Sequence, residues 1–296
     1  MARGRSQKSV SRKSGLPLWK ILVSLIFSLF LGLLLLLVFT IYAVLHPSPV
    51  SSDGAEISLR LPPPSKVHHS AESIRSTMQV QTPWVEFISW EPRAFIYHNF
   101  LSKEECEYLI TLAKPHMIKS TVVDNESGKS KDSRVRTSSG TFLARGQDKT
   151  IRDIEKRIAD FTFIPVEHGE GIQVLHYEIG QKYEAHYDYF HDELNTQNGG
   201  QRIATLLMYL SDVDSGGETV FPSSPVNKSS VPNWNNLSEC GRSGLAVTPK
   251  LGDALLFWSM KPDATLDPSS LHAGCPVISG NKWSATKWMR VHEYKV

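Results

Sequence analysis

An uncharged apolar run near the amino terminus constrains this chain more than any other feature. Residues 21–45 contain no charged side chain and are rich in leucine. A helix rises about 1.5 Å per residue and the hydrocarbon core of a bilayer is about 30 Å thick, so about 20 residues are enough to cross it. A cleaved signal peptide usually has a shorter apolar region, of about 7 to 15 residues, that ends at small residues. This run ends at His46-Pro47, and it predicts an uncleaved transmembrane anchor over residues 21–45.

The charges that flank this run predict the orientation of the anchor. No acid occurs in residues 1–20, which hold six basic residues: Arg3, Arg5, Lys8, Arg12, Lys13 and Lys20. Basic flanks stay cytoplasmic, so residues 1–20 are predicted to be a cytoplasmic tail, and the chain from His46 onward is predicted to lie in the lumen of the endoplasmic reticulum or Golgi, as in a single-pass type II protein. The net charge is +2, and without the six basic residues it is +2 − 6 = −4. A mildly acidic remainder lacks the basic face that nucleic-acid binding requires.

Composition divides the rest of the chain into two parts. Residues 46–82 are rich in Pro and Ser, include Pro62-Pro63-Pro64 and show little apolar periodicity, which predicts a stem between membrane and domain. Residues 83–296 are long enough to bury one sizeable core, so we predict a single catalytic domain there.

A lumenal domain is open to two covalent modifications. Three glycosylation sequons begin at Asn125, Asn227 and Asn236. The chain has three cysteines, of which Cys106 lies at helical spacing with apolar residues and is predicted to be a buried small side chain. The lumen permits a disulfide, and our hypothesis is a bridge between Cys240 and Cys275.

Patterning along residues 83–296 predicts a mainly β fold with flanking helices. A capping box at Ser102 to Glu105 begins a helix that ends before Pro115, and a second helix begins at Asp148. The remaining segments with strand character are residues 84–90, 94–97, 171–178, 183–188, 203–210, 244–247, 253–258 and 283–291. Many strands after two helices favour an antiparallel sandwich or jelly roll with helices on one side.

His186-Tyr187-Asp188 is the candidate metal-binding motif. On a strand, residues i and i+2 point to one face and can bind one ion. Because His-x-Asp is frequent by chance, the two residues could instead be ordinary polar side chains on a solvated strand face, with no metal bound. Two His and one carboxylate suit non-haem Fe(II). The best third ligand is His272, although His176, His191 and His292 compete with it.

The segment after His272 favours a polar cavity. Lys282 follows ten residues later and opens a strand whose Lys282, Ser284, Thr286, Trp288 and Arg290 share one face. Such a face is directed either to solvent or into a cavity.

Four segments together carry a resemblance to a known family. Residues 183–192 (YEAHYDYFHD), 216–222 (GGETVFP), 250–257 (KLGDALLF) and 272–288, which begin at His272 and include Lys282, resemble the plant and algal prolyl 4-hydroxylases. The resemblance covers residues 84–296 in the same order. It implies a double-stranded β-helix in which His186, Asp188 and His272 bind Fe(II).

The same resemblance implies the remaining roles. Lys282 is expected to pair with the distal carboxylate of 2-oxoglutarate, with Thr219 and Tyr177 close by. O2 and ascorbate are implied as further cofactors, and no obligate partner subunit is expected. The expected reaction is C4 hydroxylation of proline in proline-rich secretory or cell-wall proteins, coupled to conversion of 2-oxoglutarate to succinate and CO2. Four residues are expected to hold the peptide: Tyr183, Arg202, Trp288 and Arg290. Residues 133–141 resemble the family's substrate loop.

Other functions stay open at this point. Lysyl hydroxylases grip their co-substrate with Arg, so Lys282 argues against them. A metal-free, membrane-anchored binding module for proline-rich or glycan ligands belongs to a different class. A zinc hydrolase could also use two His and a carboxylate, but the chain lacks a His-Glu-x-x-His pair.

Overall fold

We describe a computed structural model of the chain. The described residues are 32–34, 82–123, 130–131, 134–224, 226 and 234–296. The chain divides into two units, residues 1–69 and 70–296, and in the first of them residues 32–34 are helical. Most of the predicted anchor and nearly all of the predicted stem lie outside the described residues. Within the described part of the chain, no helix has the length and apolar character needed to cross a membrane.

Two α-helices begin where the sequence predicts them. Helix α1 is Lys103–Ala113, and Ser102 caps it with a complete capping box in which Glu105 takes part. Helix α2 is Lys149–Thr162, and the side chain of Asp148 accepts a hydrogen bond from the backbone N–H of Ile151. Both caps satisfy backbone donors that a helix leaves free at its start.

Sixteen strands are present in the described residues. They are β1 Trp84–Trp90, β2 Arg93–His98, β3 Ile118–Lys119, β4 Val122–Val123, β5 Ser130–Lys131, β6 Ser139–Leu143, β7 Gly169–Tyr177, β8 Tyr183–His186, β9 Arg202–Tyr209, β10 Ser215–Gly216, β11 Thr219–Phe221, β12 Leu245–Val247, β13 Ala254–Trp258, β14 His272–Gly274, β15 Val277–Ser279 and β16 Lys282–Arg290.

Two antiparallel sheets form the body of the domain. The major sheet has eight strands in the order β1-β2-β13-β9-β16-β7-β6-β3, and the minor sheet has four in the order β12-β11-β14-β8. Neighbours in the sheets are often distant in sequence, and the carboxy-terminal strand β16 lies between β9 and β7. This is the mainly β fold with flanking helices that the sequence predicts.

Each face of the major sheet buries a different core. On one face, Leu109 of α1 and Ile154 of α2 pack with Ile172, Leu206 and Met208 of the sheet. The opposite face forms a smaller core between the two sheets: Ala94, Tyr209, Phe221, Val247, Leu255 and Phe257. Because β9 and β13 are covered on both faces, none of their residues is exposed.

One ion pair is buried where α2 packs on β16. Lys287 Nζ donates to Glu155 Oε1 at 2.6 Å, and both side chains are almost fully excluded from solvent. The backbone N–H of Gly146 donates to the other oxygen of Glu155. Charged groups are rarely buried to this extent unless they are paired, as these two are.

The cysteines lie in two different settings. Cys240 and Cys275 form a disulfide that joins the segment before β12 to the residue after β14. Cys106 is a free, buried thiol on α1. Burial raises the pKa of the Cys106 thiol to about 12. Such a thiol stays protonated at neutral pH and is chemically inert.

Candidate metal centre and adjoining cavities

The pairing of two short strands brings three side chains together. In the register of β8 with β14, His186 lies directly opposite His272. Asp188 follows two residues after the end of β8. One ligand atom from each of these three residues lies within 4.8 Å of the other two. The sequence predicts a strand over residues 183–188, but β8 ends at His186. The reason is that its partner β14 begins at His272, which pairs with His186, so no residue of β14 is left to pair with Asp188.

Hydrogen bonds fix the orientation of both imidazole rings. His186 Nδ1 lies 2.8 Å from the carbonyl oxygen of Glu184, and His272 Nδ1 lies 2.9 Å from the carbonyl oxygen of Ser270. A carbonyl oxygen only accepts, so each Nδ1 carries the proton and each Nε2 presents a lone pair. Both lone pairs are directed toward Asp188.

Electrostatics keep His186 and Asp188 in the forms that bind a metal. Burial, together with the neighbouring His272, lowers the pKa of His186 to about 3, so its imidazole is neutral at pH 7. Burial alone would raise the pKa of Asp188, but the two imidazoles, Arg202 and the hydroxyl of Thr205 outweigh it and bring it to about 2. Asp188 is therefore ionised.

Behind the three side chains, a narrow cavity ends at a buried lysine. Lys282, Thr219 and Tyr177 line this cavity together with the triad. Lys282 Nζ donates to the carbonyl oxygen of Gly217 at 2.7 Å. The hydroxyl of Tyr209 donates to Thr219 Oγ1 at 3.0 Å. The cavity therefore has a metal-binding end and a cationic end.

In front of the triad, a second cavity of about 510 Å³ is open to solvent. Six of the residues that line it are aromatic: Phe142, Tyr183, Tyr187, Tyr189, Phe190 and Trp288. The ring of Tyr183 stacks on that of His186 with centroids 3.5 Å apart. The guanidinium of Arg202 lies 3.8 Å from the ring centroid of Trp288. The guanidinium of Arg136 lies over the ring of Tyr183. Arg136 belongs to residues 133–141, which resemble the substrate loop of the family.

Arg290 has different surroundings from the other residues expected to hold a peptide. Its Nε donates to Glu170 at 2.6 Å, and its Nη1 donates to the carbonyl oxygens of Asn195 and Gly200. The same carboxylate of Glu170 accepts two bonds from Arg202. Arg290 lines neither of the two cavities beside the triad. In this position Arg290 can hold Arg202 in place through Glu170. Direct contact between Arg290 and a peptide stays a prediction.

Comparison with known proteins identifies the family. A model of the 2OG-Fe(II) oxygenase superfamily matches residues 172–290, which include the triad and Lys282. "Probable prolyl 4-hydroxylase 10" of Arabidopsis thaliana is 65% identical over 100% of both chains. "Probable prolyl 4-hydroxylase 3" of the same plant is 78% identical over 72% of this chain and 74% of the relative. The chain belongs to the prolyl 4-hydroxylase family.

A solved structure also resembles this prolyl 4-hydroxylase family member. The viral collagen prolyl hydroxylase of Paramecium Bursaria Chlorella virus-1, in its 2OG complex, is 31% identical. The match covers 67% of this chain and 95% of the viral chain, with a TM-score of 0.49.

The donor set fits the ion that the family uses. Nε2 of His186 and of His272 each lie 3.7 Å from an oxygen of Asp188. Neither nitrogen carries a proton, and the distances exceed those of hydrogen bonds. Two imidazole lone pairs and a carboxylate that converge without a proton between them suit a divalent cation, and this combination is typical of non-haem Fe(II). The protein is a dioxygenase that uses Fe(II), 2-oxoglutarate and O2.

Two contributors to the site have no signal in the sequence. Thr205, on the apolar strand β9, contacts the carboxylate of Asp188. Glu170 connects Arg202 to Arg290. Each makes its contact across at least 17 residues of sequence, which only the folded arrangement of strands brings together.

Proposed function

We propose that the protein hydroxylates C4 of prolyl residues in proline-rich secretory or cell-wall polypeptides, with coupled conversion of 2-oxoglutarate to succinate and CO2. The observation that carries this proposal is the aromatic cavity directly in front of the triad. Tyr183 forms its floor against His186, and Trp288 and Arg202 form one side. A target ring placed on Tyr183 lies close to the metal site.

The chemistry of this cavity suits a proline-rich ligand. Such segments are preformed in an extended left-handed helix and dock on aromatic surfaces with little loss of entropy. Proline lacks a backbone N–H, so these peptides offer mainly carbonyl acceptors. Trp288 and Arg136 both line the cavity, and both side chains carry N–H donors.

The residues of the site divide the work of the reaction. His186, Asp188 and His272 would hold Fe(II), which, when bound, supplies activation of O2. Lys282 would bind the distal carboxylate of 2-oxoglutarate, helped by Thr219 and Tyr177. A buried carboxylate needs a charged partner and hydrogen bonds, which this end of the cavity provides. Ascorbate would restore iron that is oxidised in unproductive cycles.

The proposed setting is the lumen of the endoplasmic reticulum or Golgi. Residues 21–45 would anchor the protein as a single-pass type II membrane protein, with residues 46–82 as the stem. We propose that it acts without an obligate partner subunit. Asn125, Asn227 and Asn236 are the proposed glycosylation sites. The side chain of Asn236 is exposed, and the other two lie outside the described residues.

Mass spectrometry of a proline-rich peptide tests the proposed reaction. The purified protein with Fe(II), 2-oxoglutarate and ascorbate is expected to add 16 Da to the peptide at proline C4. Asp188→Ala is expected to abolish this addition because it removes a metal ligand. Asp160→Ala, at an exposed position on α2, is the matched control and keeps activity. Hydroxylation of a lysine-containing peptide instead of the proline-rich one would reject proline as the substrate.

Lys282→Ala tests the co-substrate end of the cavity. Removal of the cation is expected to raise the 2-oxoglutarate concentration required for half-maximal rate by at least tenfold, because a charge-assisted pair contributes about 1.5–3 kcal/mol. The measurement is the rate of succinate release against 2-oxoglutarate concentration. An unchanged requirement would refute the role of Lys282.

Protease protection of microsomes tests the proposed setting. A tag at the carboxy terminus is expected to be protected and a tag at the amino terminus to be digested. Asn236→Gln is expected to increase gel mobility if that sequon is occupied, by the same amount as enzymatic removal of one glycan. Digestion of the carboxy-terminal tag in intact microsomes would reject the lumenal orientation.

A further inference from the structure

Thr205 lies at the junction between the two sheets and the metal site. It belongs to β9 of the major sheet, where it pairs with Phe257 on one side and Trp288 on the other. Its side chain is 1% exposed and lines the cavity between the triad and Lys282. Asp188 belongs to the opposite wall, because it follows β8 of the minor sheet.

The hydroxyl of Thr205 makes one short hydrogen bond. Thr205 Oγ1 donates to Asp188 Oδ2 at 2.6 Å. An ionised carboxylate only accepts, so the direction of this bond is fixed. Arg202 Nη1 lies 3.4 Å from the backbone carbonyl oxygen of Asp188 and does not bond to its carboxylate. Thr205 is thus the side chain that distinguishes the two carboxylate oxygens.

Without Thr205, the two oxygens of Asp188 would be nearly equivalent. Oδ1 lies 3.7 Å from Nε2 of His186, and Oδ2 lies 3.7 Å from Nε2 of His272. A carboxylate in such a position can bind an ion through one oxygen or through both. The hydroxyl engages Oδ2 and leaves Oδ1 with free lone pairs.

We propose that Thr205 is a positioning residue that makes Asp188 a ligand through Oδ1 alone. An octahedral ion has six positions. Three ligand atoms from the protein leave three, which is the number that a chelating 2-oxo acid and O2 need together. A second oxygen from Asp188 would leave only two. Thr205 therefore determines both how firmly the ion is held and how many positions stay open.

This inference rests on the metal site of the proposed function and not on proline as the substrate. Co(II) binding to the metal-free full-length protein measures it without peptide or turnover. Thr205→Val keeps the shape of the side chain and removes the hydroxyl, whereas Thr205→Ser keeps the hydroxyl. Groups that orient a metal ligand typically contribute 10–100-fold to metal affinity. We expect Thr205→Val to weaken Co(II) binding by at least tenfold and Thr205→Ser to stay within threefold of the wild type.

A matched control separates this effect from a general loss of packing. Thr162, on α2, is a buried threonine whose hydroxyl donates to the carbonyl oxygen of Ile158. Thr162→Val is expected to leave Co(II) affinity unchanged. If near-UV circular dichroism shows that Thr205→Val folds poorly, Thr205→Ala is a second variant without the hydroxyl. We expect Thr205→Ala to bind Co(II) as weakly as Thr205→Val.

A spectroscopic measurement tests the number of open positions. In the Co(II) protein, addition of 2-oxoglutarate is expected to change the visible absorption of wild type and Thr205→Ser in the same way, and that of Thr205→Val differently. The proposal would be overturned if Thr205→Val bound Co(II) as tightly as the wild type. It would also be overturned if Thr205→Ser lost as much Co(II) affinity as Thr205→Val. Either result would leave proline hydroxylation itself untouched.

Discussion

Lys282 is a buried cation with little opposite charge near it. Among the described residues, Glu218 favours its charged form, but the carboxylate of Glu218 already accepts two hydrogen bonds from Ser238. Burial therefore dominates and lowers the pKa of Lys282 to about 8. A lysine in this state is poised to gain a carboxylate partner, because the partner restores the charge interaction that burial removes.

This lowered pKa predicts how binding of 2-oxoglutarate depends on pH. In the proposed function, protonated Lys282 would bind the distal carboxylate, and the neutral amine would not. Affinity is therefore expected to be constant below about pH 8 and to fall about tenfold per pH unit above it. Titration calorimetry of 2-oxoglutarate into the Co(II) protein between pH 6.5 and 9.5, a range chosen around this pKa, measures it.

The control for this profile is Lys282→Arg. A guanidinium stays protonated throughout the range, so the affinity of Lys282→Arg, even if lower, is expected to change little with pH. A decline in Lys282→Arg that matches the wild type would show that another group titrates, and would contradict the assignment to Lys282.

At the scale of elements, α2 is held on the major sheet by a buried charge pair as well as by its apolar face. Glu155 and Lys287 are 132 residues apart and are shielded from water. Burial lowers the pKa of Lys287 and Glu155 opposes that effect. Removal of one partner leaves the other charge buried alone, which typically costs about 3–5 kcal/mol.

A double-mutant cycle tests this contact. Glu155→Leu and Lys287→Met are each expected to lower the free energy of unfolding by about 3 kcal/mol, whereas the double variant is expected to lose far less, because no charge remains buried. Urea unfolding followed by circular dichroism measures all four proteins. Additive losses in the double variant would show that the pair is not coupled.

The sequence predicts elements better than it predicts contacts between them. The caps at Ser102 and Asp148 and the apolar periodicity behind them are local signals, and both helices follow them. The end of β8 at His186 depends on how long its partner β14 is, which no local pattern contains. Asp188 was therefore predicted in the correct motif but in the wrong element.

The residues of the candidate site also differ in how well the sequence predicts them. The sequence singles out the triad and Lys282, which the structure brings to one cavity, because the resemblance attaches them to recognisable segments. Thr205 and Glu170 could not be predicted, because each is ordinary in its own segment and acquires its role from a residue in another segment. The prediction of residues that hold the peptide is met only in part by the structure. Tyr183, Arg202 and Trp288 line the cavity in front of the triad, and Arg290 does not.

At the scale of the whole molecule, the functional site joins the two sheets. His186 and His272 belong to the minor sheet and Asp188 follows its strand β8, whereas Lys282 belongs to the major sheet. A metal ion together with 2-oxoglutarate would therefore connect both halves of the fold. Ligands that bind only the folded state stabilise it according to their affinity, by about 2.7 kcal/mol at a hundredfold excess over Kd.

Thermal unfolding tests this connection. Co(II) and 2-oxoglutarate together are expected to raise the Tm of the domain by several degrees, and by more than Co(II) alone. In Lys282→Ala the further increase due to 2-oxoglutarate is expected to be reduced strongly, while the increase due to Co(II) persists. Equal increases in both proteins would place the co-substrate elsewhere.

The central place of β16 in the major sheet also affects biosynthesis. Strand β16 comes after β7 and β9 in the chain and fills the gap between them. Until β16 has been synthesised and has left the ribosome, both neighbours have an unpaired edge, and unpaired edges recruit other strands. A nascent chain therefore needs protection by chaperones until β16 emerges, and a nonsense truncation before β16 would produce an aggregation-prone polypeptide that quality control removes.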